Sequence, residues 1–134
     1  IERELRAQAP REGLDVPVDA LLGNAHHKYR LQEVMQSFGV QTVYHAAAYK
    51  HVPIVEQNSV EGVFNNVFST LHAAEAARET GVETFVLIST DKAVNPTNVM
   101  GASKRFAEIV LQSMQTQTTR TRFCMVRFGN GDAP

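Results

Sequence analysis

Phe85-Val86-Leu87-Ile88-Ser89-Thr90-Asp91-Lys92 is the stretch that decides the fold. Its first four residues are apolar without interruption, which reads as a strand buried on both faces, the habit of parallel sheets. Hydroxyl, carboxylate and amine groups then arrive together, so the strand opens directly into a polar loop. Parallel strands need crossover helices on either side. Upstream, Val60, Val63, Phe64, Val67, Leu71 and Ala74 keep helical spacing until Gly81; downstream, Met100, Phe106, Ile109, Val110 and Met114 do the same after Asn95-Pro96. Further out, Arg122–Phe128 reads as a last strand before Gly129-Asn130-Gly131. Gln41–Ala48 reads as a strand that turns small at its end. From His27, Leu31, Val34, Met35 and Phe38 mark a helix stopped by Gly39. Val18–Gly23 reads as a further strand, and Ile1–Ala9 as a helix stopped by Pro10 and Gly13. Strict alternation of helix and strand predicts an α/β fold, a parallel sheet with helices on both faces and right-handed crossovers.

The 134 residues suit a single domain spanning 1–134. Thirteen Lys+Arg against 14 Asp+Glu, a formal net charge of −1, argue against nucleic acid or an anionic membrane as partner. The apolar runs are a few residues long, whereas a membrane span needs about 20, so no membrane contact by this segment is expected. Cys124 stands alone, which fits a reducing, cytoplasmic setting and an inert core thiol. The chain opens on Ile1 inside a helical pattern, with the look of a piece of something longer.

In open parallel sheets, ligands sit beyond the carboxyl ends of the strands. The segments to search are therefore Gly23–His27, His45–Pro53, Ser89–Pro96 and Gly129–Pro134. Ser89, Thr90, Asp91 and Lys92 could bind a polar substrate and exchange protons with it, and Met100 and Lys104 follow on one face of the next helix. The plainer alternative makes Asp91 or Asn95 a turn cap and both lysines solvated surface groups. His45-Ala46-Ala47-Ala48 is small enough for close approach of a ligand, or for plain helix-on-strand packing. Lys50 and His51 could face an anionic or sugar ligand, or simply water. The pair His26-His27 lacks a carboxylate or thiol at ligand spacing, so no metal is expected.

The run from Ser89 to Arg105, with Asp91-Lys92, Asn95-Pro96, Met100-Gly101-Ala102-Ser103-Lys104, resembles the signature of the UDP-N-acetylglucosamine 4,6-dehydratases of bacterial polysaccharide biosynthesis. These are extended short-chain dehydrogenase/reductases. Tyr44–Pro53 and Arg127-Phe128-Gly129-Asn130 match the same family, and the likeness runs nearly to Asn130. The superfamily usually has Tyr-x-x-x-Lys where this chain has Met100-x-x-x-Lys104, and a thioether cannot handle the tyrosine's proton. The resemblance then implies that Thr90, Asp91 and Lys92 carry the acid–base work, with Asp91 as acid and Lys92 as base. It implies NAD, or NADP, held along His45, Ala46, Ala47 and Ala48 with Lys104 at the ribose. The implied substrate is a UDP-sugar, met by Lys50, His51, Arg127 and Asn130. The implied reaction oxidises C4, eliminates water across C5–C6 and reduces C6, and a homo-oligomer pairs through helices 60–80 and 98–115. Asn66 matches an Asn-x-x-Gly-Thr element in which Ser69 replaces the glycine, and Asn24 stands where many relatives have an aspartate near the adenine.

A dinucleotide fold begins with a strand, a Gly-x-Gly-x-x-Gly turn and a helix that receives the pyrophosphate. The chain contains no such run, and Gly129-x-Gly131 has no helix after it. The expectation is therefore a partial Rossmann-type fold, an incomplete catalytic core of a parent anchored or not at the inner membrane, with doubtful cofactor affinity and no turnover by itself; residues 131–134 depart from the family's usual continuation. Two alternatives stay open: a nucleotide-sugar epimerase or reductase of the same superfamily, and a non-catalytic binding or assembly module.

Overall fold

The computed structural model describes residues 17–117 and 120–129. Their elements run α1 (Lys28–Ser37), β1 (Thr42–His45), α2 (Val52–Gln57), α3 (Ser59–Thr80), β2 (Thr84–Thr90), a 3₁₀ turn (Asp91–Ala93), α4 (Val99–Thr116) and β3 (Arg122–Phe128). The three strands are parallel in the order β1-β2-β3, with Phe85 opposite Val43 and Phe123, and Leu87 opposite His45 and Met125. β2 is thus the central strand, as its unbroken apolar run requires.

Alternation sends Val43, Phe85, Leu87, Phe123 and Met125 toward the helices, where they join Met35, Ala73, Ala77, Ala107, Leu111 and Met114 in the core. Alanines dominate the inward face of α3 because that helix is pressed against α1, α4 and the sheet at once. Their small size permits the approach. α3 and α4 both touch the sheet and each other, so the described helices share one face. The opposite face, which the expected double layer would cover, leaves Tyr44 and Phe128 exposed among the described residues.

Helix ends follow from local chemistry. Gly39 and Gly81 have φ of 56° and 77°, the left-handed conformation that ends α1 and α3 at the expected glycines. Asn98 caps α4 by accepting Gly101 N–H at 2.8 Å.

Three expectations need correction or fall outside. Val18–Gly23 is not a strand: residues 17–24 lack regular structure and Leu22 is 97% exposed. A strand needs a ladder, and among the described residues β1 pairs with β2 alone, so residues 17–24 have no partner strand. The strand read over Gln41–Ala48 is only Thr42–His45, because Ala46–Lys50 peels away as loop. The helix expected at Ile1–Ala9 lies outside the described residues, as do Asn130 and residues 131–134. The short helix α2 was not anticipated; Pro53 in its first turn is the signal that could have shown it.

Candidate functional site

The carboxyl ends of the three strands carry almost every residue singled out by sequence. At the end of β2, Thr90 Oγ1 donates to Asp91 Oδ1 at 2.9 Å, and Asp91 Oδ1 also accepts Lys92 N–H at 2.8 Å. Asp91 therefore does form a local turn, as the plainer reading held, yet Asp91 and Lys92 are both exposed and their functional atoms stay reachable. The helix start is capped by Asn98 instead of Asn95. Gly129 follows β3 so closely that a Cβ there would lie 3.0 Å from Asp91 Oδ2, and one on Gly101 would lie 2.5 Å from Lys92 O. The Asp91-Lys92 turn is wedged between the exit of β3 and the start of α4.

Below that turn lies the buried part. Met100 and Lys104 are 4% and 7% exposed, so Lys104 is no solvated surface group. Its Nζ donates to Ile88 O at 2.7 Å. Burial pushes its pKa down, partly offset by Glu108 one turn along. His45 ends β1 with Nε2 buried and without a hydrogen-bond partner; burial first, and Lys104's charge second, bring its pKa from 6.5 to about 4. The imidazole is neutral at physiological pH.

Ser89 lies deeper than Asp91 and Lys92. Its hydroxyl is buried and donates to Glu108 Oε1 at 2.7 Å. Arg127, expected at the substrate, grips Glu108 with Nε and Nη2 at 2.9 and 2.7 Å, and Arg105 Nη1 adds a bond at 2.9 Å. Burial raises the Glu108 pKa, but the bonds from Arg127, Ser89 and Arg105 prevail and hold it at about 2. Sequence reading missed Glu108. Its signal was its place on the inward stripe of α4, with Met100, Lys104, Ala107 and Leu111.

At β1 the loop after His45 is fixed from below by Asn66, which is 1% exposed. Asn66 Oδ1 accepts Tyr49 N–H at 2.7 Å; its amide donates to Tyr49 O at 3.0 Å and to Ser103 Oγ at 2.9 Å. One side chain so couples the β1 loop to the turn of α4 that carries Lys104. Ser69, at the position of the expected glycine, is buried with Oγ 3.5 Å from Ala47 O. Ala46, Ala48, Lys50 and His51 line a pocket of about 630 Å³ with Ile54, Glu61 and Gly62. That pocket holds the β1-loop residues together but not the β2 ones. Asn24 serves its own turn, accepting His26 N–H at 2.9 Å. His26 Nε2 lies 3.1 Å from Asn65 Oδ1 and its ring stacks on Phe64.

Among the described residues, no three His, Cys, Asp or Glu side chains are placed to share a metal ion, and no helix is long and apolar enough to cross a membrane. A nicotinamide dinucleotide fits what is present: a loop of small residues beyond β1, and a buried ammonium that uses one of three donors on Ile88 O.

The comparisons agree with this geometry. Residues 1–131 match the family described as "Polysaccharide biosynthesis protein". The chain is 52% identical over 115 residues to the capsular polysaccharide biosynthesis protein CapD of Staphylococcus aureus, covering 86% of this chain and 19% of that one. It is 38% identical over 111 residues to a UDP-N-acetylglucosamine 4,6-dehydratase (inverting) of Campylobacter jejuni, covering 81% and 33%. The solved structure of Pen from Bacillus thuringiensis superposes with a TM-score of 0.80 at 32% identity, over 96% of this chain and 39% of that one. The UDP-glucose 4-epimerase of Brucella ovis with NAD, at 24% identity and TM-score 0.78, shares the fold. The chain thus spans a fifth to two fifths of the length of these relatives. By its matched residues and its parallel Rossmann-type sheet, the chain belongs to the polysaccharide biosynthesis protein family and has a short-chain dehydrogenase/reductase fold.

Proposed function

We propose that this chain is the catalytic core of a nucleotide-sugar 4,6-dehydratase acting on a UDP-N-acetylglucosamine-like substrate, its other parts lying outside residues 1–134. The observation that supports this best is the exposed Asp91-Lys92 turn at the end of the central strand, held between Gly129 and Gly101. Bound NAD would accept and return the hydride at the sugar. Lys104 would bind the ribose from its seat on Ile88 O, and the loop from His45 to Ala48 would lie along the nicotinamide. Once C4 is a ketone, the C5 proton is acidic; Lys92 removes it and Asp91 protonates the departing C6 hydroxyl. Thr90 orients Asp91 through its 2.9 Å hydrogen bond. Met100 cannot exchange protons, which concentrates that work on the β2 turn. Lys50, His51, Arg127 and Asn130 remain the proposed contacts to the sugar nucleotide, Arg127 while also holding Glu108.

Asp91→Asn and Lys92→Met in the whole enzyme should each lower formation of the 4-keto-6-deoxy sugar by about 100-fold or more, with unchanged circular dichroism. Unaltered turnover would sink the assignment. A second reading, 4-epimerisation, draws on 36% identity over 111 residues to a UDP-glucose 4-epimerase of Rickettsia canadensis. The product decides: an epimer retaining its C6 hydroxyl supports it, and a 6-deoxy-4-ketose excludes it.

A further inference from the structure

Glu108 is 0% exposed and accepts four hydrogen bonds, from Ser89 Oγ, Arg127 Nε, Arg127 Nη2 and Arg105 Nη1. A carboxylate has about four lone-pair positions, so this one is saturated. Its partners are not scattered. Ser89 and Arg127 are opposite one another in the β2–β3 ladder. The carboxylate thus straddles the ladder from above and ties both strands to α4 at one level. The next residues on each strand are Thr90 and Phe128, and beyond them lie Asp91 and Gly129, close enough that a Cβ on Gly129 would lie 3.0 Å from Asp91 Oδ2. On α4 itself, Lys104 sits one turn before Glu108 with its Nζ on Ile88 O, the carbonyl immediately preceding Ser89.

Glu108 is buried while Arg105 and Arg127 are more than a third exposed, and desolvating that carboxylate offsets much of its attraction to the two guanidinium groups, so the pairing adds little net stability over a well-packed apolar side chain. An aliphatic residue continuing the stripe of Ala107 and Leu111 would have filled the space. What the carboxylate adds is direction: a forked pairing with Arg127 fixes distance and angle together.

We propose that Glu108 is a positioning residue, which sets the spacing of Asp91, Gly129 and Lys104 by clamping Ser89 and Arg127 to α4. This rests on the dehydratase reading for its kinetic consequence but not for its geometric one. Arg105 pairs with Glu108 from the same helix and ties no strand, so it serves as the control.

The test uses Glu108→Gln, Arg127→Lys and Arg105→Gln in the whole enzyme, with kcat, KM, the pH profile and thermal unfolding measured for each. The first two should lower kcat by about 10- to 100-fold, the loss expected when reacting groups shift by about 1 Å. In Glu108→Gln KM should change by less than about threefold, since Glu108 is buried and meets no substrate, whereas Arg127→Lys, which also removes a proposed substrate contact, is read on kcat and the amide resonances alone. The kcat–pH profile should move in Glu108→Gln, because Lys104 loses its neighbouring carboxylate. Arg105→Gln should stay within about threefold of the parent. Folded Arg127→Lys with parental kcat overturns the proposal, even where Glu108→Gln fails to fold. An equal loss in Arg105→Gln also overturns it, since charge alone would then be at stake. Should the parent enzyme perform no dehydration, the function reading fails by itself. The amide resonances of Asp91, Lys92 and Gly129 then decide: displacement in Arg127→Lys but not Arg105→Gln upholds the clamp, and no displacement refutes it.

Discussion

At the scale of single residues, His45 is held neutral by burial, and that has a pH signature. Its folded pKa of about 4 lies below the ordinary 6.5, so the unfolded chain binds the proton more readily. Its contribution is full above about pH 6.5 and is lost as pH falls toward 4, in all about 3 kcal/mol. Glu108, depressed to about 2, behaves as a carboxylate: its share is present above 4.5 and disappears as pH falls through 2. Urea unfolding between pH 7 and 5 should therefore show declining stability before the carboxylates titrate strongly, and His45→Gln should flatten that decline. A slope unchanged by the substitution would remove His45 as its cause. Asn66 offers a second case. Asn66→Ala would take the partner from both the Tyr49 N–H and the Tyr49 carbonyl and leave Ser103 Oγ only its bond to Met100 O, a cost of about 2 kcal/mol by thermal unfolding.

At the scale of elements, periodicity made α1, α3, α4, β2 and β3 legible, because each buries one continuous face or run. Arg122–Phe128 matches its strand to the residue. Val18–Gly23 looked equally apolar and failed, since a strand depends on a neighbour that local sequence does not contain. The site was legible in its strand-end polar residues and less so in its support. The residues read as acting on substrate include Ser89 and Arg127, whose observed partner is Glu108, and that pairing joins three elements far apart in sequence. Glycines give the element scale its own prediction. α4 crosses the Lys92 backbone at Gly101 without room for a methyl group. Gly101→Ala should displace the Asp91-Lys92 turn, costing about 1–3 kcal/mol in unfolding free energy and more in turnover than in substrate affinity.

At the scale of the whole molecule, the outward faces of α3 and α4 are apolar where solvent should favour charge. Val60, Val63, Phe64 and Phe68 with Val99 line one shallow groove, and Phe106 and Ile109 are exposed further along α4. Pairing of two copies through these helices is the arrangement that the family resemblance implies. Phe64→Glu with Phe106→Glu should convert such a dimer to monomer in sedimentation velocity, while an unaltered sedimentation coefficient would move the interface elsewhere. The order β1-β2-β3 also sets a gradient in deuterium uptake. Amides of β2 are shielded by ladders on both sides, whereas β1 and β3 are each shielded on one among the described residues. Thr90 closes that slowest-exchanging strand, and Asp91 and Lys92 begin a solvent-facing turn immediately after it. Exchange rates should therefore rise steeply within two or three residues, so that the mobile Asp91-Lys92 turn is hinged on the most persistent anchor in the sheet.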